Sequence, residues 1–323
     1  MLAKQRQICI QGKEVATTPM LVPSFSSKGF NDPTVQEIVD YMSSSITDSA
    51  LVSAYDISSG AIKGPITFPS VLFLDSGGYE CSKDLDLSDL GYTDYNHDAS
   101  WSKEKLVEVL DNWECLVPTL FVSYDNPIER FPVAEQIANA KALFTGRSVG
   151  HELLLKPSKK GSPKIEVDEV IANIHELRHF DVIGFTEKEL GLSLFKKMTN
   201  IARIRLAMNK AGLEKPIHIF GSLDPISSPL YFLAGADIFD GLTWLRLAYH
   251  QGLAVYMHNL AAIKHGSKIN VRDIPTHIWF SNHHELMNLE ESMKRFLKEQ
   301  SFGCFAYHAD LFEKTIKGLE AKI

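Results

Sequence analysis

The feature that most constrains this chain is a regular alternation of short apolar runs with longer stretches of helical periodicity. The runs are LVPSF (21–25), LVSAYDI (51–57), VLFLDSG (71–77), LFVSYD (120–125), HELLLK (151–156), DVIGFT (181–186), PIHIFG (216–221) and ADIFDG (236–241). Most are separated by amphipathic segments whose apolar residues recur at helical spacing. Eight strands that alternate with helices predict an α/β fold, a (β/α)8 TIM-type barrel with loop insertions and a helical C-terminal segment.

Domain organisation follows from where this alternation stops. We expect residues 1–260 to form the barrel and residues 261–323 to form a helical segment that completes it or packs on it. The helix between the second and third strands is missing or very short. Residues 80–101 form a polar insert, which is either a surface loop or a functional loop on the catalytic face.

Charge and cysteine usage exclude some classes of function. The chain has 33 basic and 40 acidic residues and a net charge of −7, which argues against a generally basic nucleic-acid binder but allows a local basic face. The start, MLAKQRQICIQGKE, lacks a signal-peptide pattern, and no stretch reaches the roughly 20 apolar residues of a membrane span, so we predict a cytoplasmic protein. The four cysteines form no Cys-x-x-Cys pair, which predicts neither a disulfide framework nor a cysteine zinc site.

Acidic residues follow several of the predicted strands. They are Asp56, Asp75, Asp125 and Asp240. Side chains at the C-terminal ends of barrel strands converge on one pocket, although aspartate after a strand is also a common helix N-cap. Two grouped carboxylates suit glycosyl transfer, whereas metal-dependent hydrolysis would favour paired histidines, and the chain has no His-Glu-x-x-His.

The stretch FLDSGGYE (73–80) places one of these acids before a pair of glycines. Gly77 and Gly78 allow the backbone to approach whatever occupies the space beyond the strand. An apolar run that ends in an acid, a serine and two glycines therefore makes Asp75 a candidate for chemistry.

Two stretches, DSGGY (75–79) and DIFDGLTWLR (237–246), carry a family resemblance. They resemble motifs of the tRNA-guanine transglycosylases, zinc-containing barrels that replace guanine in a nucleic acid with a 7-deazaguanine base. TPMLVPSF (18–25) and HIFGSLDP (218–225) are similar to that family's first and seventh strands. In order and approximate spacing the likeness covers residues 18 to about 250.

The resemblance implies catalytic roles for two aspartates. Asp240 would be the nucleophile that attacks C1′ of the target nucleoside and releases guanine. Asp75 would be the general acid and base, which protonates the outgoing purine and deprotonates the incoming one.

The resemblance also implies a base-binding pocket. The glycines would admit the flat base, Tyr79 would stack against it, and Phe220 on the seventh strand would close the other side. Asp125 would accept hydrogen bonds from the guanine edge. Lys156 stands where the family has glutamine and could donate to O6 or N7. The remaining residues that we assign to the base are Ser76 and Gly184, with a weaker assignment for Glu187 or Glu189.

Nucleic-acid contacts are implied by one arginine and one loop. Arg246 matches a family arginine that holds the substrate backbone, and KPSKKGSPK (156–164) contributes Lys159 and Lys160 as phosphate contacts. A solvated linker is the alternative interpretation of this loop.

The family's zinc signature has no counterpart, because Cys304 is the sole cysteine after Asp240. We therefore predict no metal and no other cofactor, with a site made of histidines and carboxylates as the alternative. The histidines concerned are His250, His258, His265, His277, His283 and His284.

The missing signature favours a zinc-less relative such as the bacterial DNA-modifying branch. We expect an enzyme that replaces guanine in DNA with a 7-deazaguanine such as preQ0, since both catalytic aspartates are present. The partners would be guanine-containing DNA or tRNA and the free 7-deazaguanine base, and a helper protein is compatible with the sequence. Exchange on tRNA, a non-catalytic accessory subunit and a hydrolase or nucleosidase acting on small molecules stay as alternatives.

Overall fold

Parallel strands form the sheet that the apolar runs predicted. The computed structural model describes residues 1–81, 100–126, 129–159 and 161–323. Its strands are β1 (Gln7–Ile10), β2 (Lys13–Thr17), β3 (Met20–Pro23), β4 (Ser49–Ser53), β5 (Val71–Asp75), β6 (Thr119–Val122), β7 (Gly150–Leu155), β8 (Val182–Thr186), β9 (Ile217–Phe220), β10 (Ile238–Gly241), β11 (Ala248–His250) and β12 (Leu253–Val255).

The sheet is a nearly closed barrel. Strands β3 to β10 form one eight-stranded parallel sheet in the order β3-β10-β9-β8-β7-β6-β5-β4. A parallel bridge between Ser24 and Leu51, with Phe25 N donating to Leu51 O at 2.9 Å, joins β3 to β4 and brings the two edges together. Strands covered on both faces have few polar positions, which explains why they appear in the sequence as continuous apolar runs. The predicted (β/α)8 TIM-type barrel is confirmed.

Helices lie between the strands and dominate the C-terminal part. They are α1 (Val35–Met42), α2 (Ala54–Ser58), α3 (Gly78–Cys81), α4 (Lys103–Asp111), α5 (Val133–Phe144), α6 (Val167–Ala172), α7 (Leu194–Lys210), α8 (Ser227–Leu233), α9 (Thr243–Arg246), α10 (Met257–His265), α11 (Ile274–Glu299) and α12 (Ala309–Glu320). Short 3₁₀ turns occupy Ile174–His179, Glu187–Glu189 and Phe302–Cys304. No helix among the described residues is long and apolar enough to cross a membrane.

The prediction for the second strand extended too far at its C-terminal end. Residues 54–57 belong to helix α2, which Ser53 caps by accepting a hydrogen bond from Tyr55 N at 3.2 Å. This five-residue helix is the very short connection predicted between the second and third strands. Most of the predicted polar insert, residues 82–99, lies outside the described residues.

An N-terminal hairpin that the sequence did not predict packs against the barrel interior. Strands β1 and β2 pair antiparallel, and the turn between them places Gln11 and Gly12 at φ values of 52° and 77°. Ile8 is fully buried in the inner apolar cluster, which also contains Val71 and Phe73 of β5. The hairpin therefore contributes to the barrel core.

The long C-terminal helix α11 is fixed to the barrel by buried polar contacts. Asn282 accepts from Tyr249 N at 2.7 Å and donates to the carbonyls of Trp244 and Leu247 at 2.6 and 2.7 Å. Further along the helix, Glu290 accepts from Leu21 N at the start of β3 at 2.8 Å. Helix α11 thus packs across the region where the last and first strands of the barrel meet.

Candidate active site

The two predicted catalytic aspartates lie at the same end of the barrel. Asp75 is the last residue of β5, and Asp240 is the third residue of β10, in a sheet whose strands all run parallel. Both are buried, with relative exposures of 9% and 5%. The Asp240 charge is one of the causes that raise the pKa of Asp75, so the two carboxyl groups interact within one site.

Hydrogen-bond donors surround the carboxylate of Asp240. Ser24 Oγ, just after β3, donates to Oδ2 at 2.7 Å, and Gly221 N, just after β9, donates to Oδ1 at 3.3 Å. Nε2 of His218 lies 3.2 Å from the same Oδ1. Such contacts stabilise a charged carboxylate and fix its orientation.

Behind Asp240 lies a buried acid and base pair that the sequence analysis missed. Nδ1 of His218 on β9 is 2.7 Å from Oε1 of Glu152 on β7, and both side chains are fully buried. Burial alone would lower the pKa of His218, but Glu152 and Asp240 outweigh it and raise the pKa to about 9. The signal in the sequence was a charged residue inside each of two apolar runs, HELLLK and PIHIFG.

Asp75 experiences the opposite environment. Burial raises its pKa to about 8, with further contributions from the charges of Glu80, Asp240 and Asp125, while a hydrogen bond from Gly77 N opposes the shift. This donor lies 3.1 Å from Asp75 Oδ2. This shift favours the protonated form of the Asp75 carboxyl group at neutral pH, which is the form that can donate a proton.

Two further acids lie close to Asp75. Asp56 was predicted at a strand end or an N-cap; both interpretations were wrong, because it lies inside α2 and accepts from Ser27 N at 2.8 Å. The pKa of Asp56 is raised to about 8, mainly by burial and secondly by the charge of Glu80. Glu80 itself accepts from the hydroxyl groups of Ser26 and Ser53 at 2.5 and 2.8 Å.

The two glycines after β5 leave room for neighbouring side chains of the protein. A Cβ on Gly77 would lie 2.7 Å from Tyr55 and 2.9 Å from Trp101, and a Cβ on Gly78 would lie 2.8 Å from Asp125. The expectation that these glycines also admit the flat base stays a prediction. Gly77 also has a φ of +86°, which favours glycine at this turn.

Tyr79 is fixed by two cationic side chains. Its hydroxyl accepts from both terminal nitrogens of Arg246 at 3.1 Å, and the Lys28 ammonium lies 4.1 Å from its ring centroid. Arg246 has a relative exposure of 4% and also donates to Lys28 O at 2.9 Å. In this arrangement the guanidinium orients Tyr79 and does not face solvent as a phosphate contact would.

Phe220 lies beside the buried histidine and opposite Gly184. Its ring stacks on His218 with centroids 4.0 Å apart. A Cβ on Gly184 of β8 would lie 2.5 Å from the Phe220 ring and 3.3 Å from Glu152 Oε1. The structure therefore explains Gly184 as the residue that leaves room for Phe220.

Asp125 and Lys156, which were each predicted to contact the base, form an ion pair. Lys156 Nζ is 3.2 Å from Asp125 Oδ2 and 2.9 Å from Glu189 Oε2. Burial would lower the pKa of Lys156, but these two carboxylates outweigh it and raise the pKa. A cavity of about 320 Å³ lies beside the pair, and its lining includes Tyr124 and Arg130.

The other residues predicted to contact the base or phosphate lie in different surroundings. Ser76 Oγ accepts from Asp125 N at 3.1 Å, so it supports the pocket wall. Glu187 accepts from Tyr231 OH at 2.7 Å and Lys197 at 2.9 Å, whereas Glu189 is the acid that contacts Lys156. Lys159 is exposed, whereas Lys160 lies outside the described residues.

The zinc of the resembling family does not fit the residues present. Cys304 is buried, and its thiol donates to Glu299 Oε2 at 3.2 Å. Among the described residues, no three histidine, cysteine or acidic side chains are grouped so as to hold a metal ion.

Comparison with protein-family models and with curated proteins identified no relative of this chain. No protein-family model matches the chain, and no curated protein matches it significantly.

Proposed function

We propose that this protein is a base-exchanging glycosyltransferase that replaces guanine in a polynucleotide with a 7-deazaguanine such as preQ0. The observation that carries the proposal is a pair of carboxyl groups in one site with opposite environments. Asp240 is surrounded by donors from Ser24 and Gly221, whereas burial raises the pKa of Asp75 to about 8. One group suits a nucleophile and the other a general acid.

The first half of the reaction forms a covalent intermediate. An Asp240 oxygen attacks C1′ as the bond from C1′ to the purine nitrogen breaks, and the electron pair leaves with the guanine. Asp75 supplies the proton that makes the departing purine neutral. In the second half, the Asp75 carboxylate removes a proton from the incoming base, whose nitrogen attacks C1′ and displaces Asp240.

The base pocket supports a purine with guanine's hydrogen-bonding edge. Asp125 offers a carboxylate to adjacent N–H donors, and Lys156 offers an ammonium to an acceptor, with 3.2 Å between the two groups. Phe220 and Tyr79 supply aromatic surfaces for a flat ring. A base within a duplex must leave the stack before it can reach such a site.

DNA is the favoured substrate, with tRNA as the alternative. The tRNA enzymes of the resembling family use a zinc subdomain for RNA contact, and here Cys304 is engaged with Glu299. A net charge of −7 means that binding to either polynucleotide must depend on a local basic face, to which exposed Lys159 would contribute.

The direct test is capture of the covalent intermediate. Wild-type protein is incubated with guanine-containing DNA or with tRNA, resolved on denaturing gels, and assayed in parallel for incorporation of labelled guanine or preQ0. We expect an adduct with DNA that disappears on addition of excess free base. Asp240→Asn should form no adduct but still bind DNA, since the amide keeps the shape of the side chain and is a far poorer nucleophile.

The matched control is Asp310→Asn, which alters an exposed carboxylate on α12. Its adduct yield should equal that of the wild type. Base exchange by Asp240→Asn at the wild-type rate would refute the assignment of the nucleophile, and an adduct with tRNA alone would reverse the preference for DNA.

A further inference from the structure

The buried pair Glu152 and His218 has no part in the chemistry described above. Both side chains are fully buried inside the barrel, where an uncompensated charge is costly. Phe73 packs edge-on to the His218 ring with centroids 5.4 Å apart, and Phe220 stacks on it at 4.0 Å. These two aromatic contacts restrict the orientation of the imidazole.

The polar contacts of His218 determine its protonation. Nδ1 lies 2.7 Å from Glu152 Oε1, and Nε2 lies 3.2 Å from Asp240 Oδ1. A neutral imidazole has one N–H and could donate to one of these groups, so close contacts with two charged carboxylates favour the doubly protonated ring. Among the described residues, Glu152 and Asp240 are the charged groups that act on His218.

We propose that Glu152 and His218 form a positioning pair for Asp240, in which doubly protonated His218 orients the nucleophilic carboxylate and Glu152 keeps that proton in place throughout the reaction. This inference rests on the proposed function for its kinetic consequence. It rests on geometry alone for the protonation of His218.

Glu152 is needed because the charge of Asp240 changes during turnover. When an Asp240 oxygen bonds to C1′, the carboxylate becomes a neutral ester, and its negative charge leaves with the purine until Asp75 protonates that purine. Without Glu152, the buried imidazolium would then face no anion and would lose its proton. With Glu152 at 2.7 Å, the ring keeps a counter-ion and Nε2 keeps its proton beside Asp240 Oδ1 in both states.

The protonation is tested by NMR on the free protein labelled with ¹⁵N-histidine. At neutral pH we expect both ring nitrogens of His218 to be protonated, with its signals identified as those lost in His218→Gln. In Glu152→Gln the midpoint of the His218 titration should move to lower pH. The control His151→Gln changes a half-buried histidine that stacks on Phe144 outside the barrel, and it should leave the His218 signals in place.

The positioning role is tested by single-turnover adduct formation with guanine-containing DNA, at a pH well below 8 so that Asp75 stays protonated. We expect Glu152→Gln to slow the step roughly tenfold to a hundredfold, the range typical when a side chain that orients a functional group is lost. The dependence on DNA concentration should not change, because neither residue faces the base. His218→Gln, which keeps an amide donor near Asp240, should retain more activity than His218→Phe.

Two results would overturn the inference. One is a wild-type His218 that carries a single N–H at neutral pH, and the other is a Glu152→Gln protein that forms the adduct at the wild-type rate. A wild-type protein that forms no adduct with any polynucleotide would refute the proposed function instead, and the NMR titration would then decide the state of His218 independently.

Discussion

At the scale of single residues, environment separates two aspartates of identical chemistry. Asp240 is reached by hydrogen bonds from Ser24 and Gly221, whereas Asp75 has one backbone donor, Gly77 N, and several acidic neighbours. Burial and repulsion thus favour the protonated form of Asp75, whereas Asp240 lies among hydrogen-bond donors. The division of roles follows from positions that the strands impose.

The raised pKa of Asp75 predicts a pH-dependent cost in stability. Its pKa of about 8 in the folded protein exceeds the ordinary aspartate value of 3.8, so the folded state binds the proton more tightly and stability falls as pH rises between these values. Asp75→Asn removes this cost, and we expect it to be more stable than the wild type by on the order of a few kcal/mol at pH 8. The gain should nearly vanish close to pH 4.

Urea unfolding at several pH values measures this gain. Asp310→Asn, an exposed substitution, should show no comparable dependence on pH. A gain for Asp75→Asn that stays constant from pH 4 to pH 8 would contradict the assignment of the proton to Asp75.

Sequence predicted the residues at strand ends better than those inside strands. Asp75 and Asp240 were identifiable because loops and strand ends gather the functional groups of a barrel. Glu152 and His218 were missed because each is surrounded in sequence by apolar residues, and which of two alternating faces points inward depends on the register of the closed sheet. Arg246 was expected at phosphate, but its contact with Tyr79 arises from tertiary packing.

At the scale of elements, Gly184 of β8 leaves room for the ring of Phe220 on the neighbouring strand β9. A Cβ on Gly184 would lie 2.5 Å from the Phe220 ring, and that ring also stacks on His218. Gly184→Ala should therefore displace Phe220, destabilise the protein by about 1–3 kcal/mol and weaken binding of the incoming base.

Thermal unfolding and the KM for the free base would measure both effects. Gly318→Ala is the matched control, because a Cβ there meets its nearest neighbour at an ordinary 3.7 Å and alanine favours the helix. An unchanged KM in Gly184→Ala would show that Phe220 is not part of the base pocket.

Strands of the barrel were predictable, whereas the hairpin β1–β2 was not. Parallel strands buried on both faces are continuous apolar runs, and these were found to within a few residues at most ends. The hairpin has one exposed face and a polar sequence, IQGKEVAT, so it lacked that signal. Its place is set by tertiary contacts of Ile8 with the barrel interior.

At the scale of the whole molecule, the C-terminal helices and the barrel share buried contacts. Trp279 Nε1 donates to Leu245 O at 3.0 Å, and the exposed ring of Phe280 lies 5.2 Å from Tyr41 of α1. Together with Glu290, which accepts from Leu21 N, these contacts connect α11 to both the first and the last strand regions. Residues 261–323 are therefore expected to unfold with the barrel rather than as a separate unit.

Asn282 provides the sharpest test of this coupling. Its side chain is fully buried and satisfies Tyr249 N and the carbonyls of Trp244 and Leu247. Asn282→Ala leaves all three backbone groups without that partner, and each buried unsatisfied group costs about 1–3 kcal/mol, so we expect a loss of roughly 3 kcal/mol or more.

Urea unfolding followed by tryptophan fluorescence and by far-ultraviolet circular dichroism measures the effect. In the wild type the two signals should change together, and in Asn282→Ala both midpoints should fall by the same amount. Asn288→Ala, an exposed substitution on the same helix, should change neither midpoint appreciably. If the fluorescence midpoint alone fell in Asn282→Ala, α11 would be detaching from a barrel that stays folded, and the molecule would consist of two units rather than one.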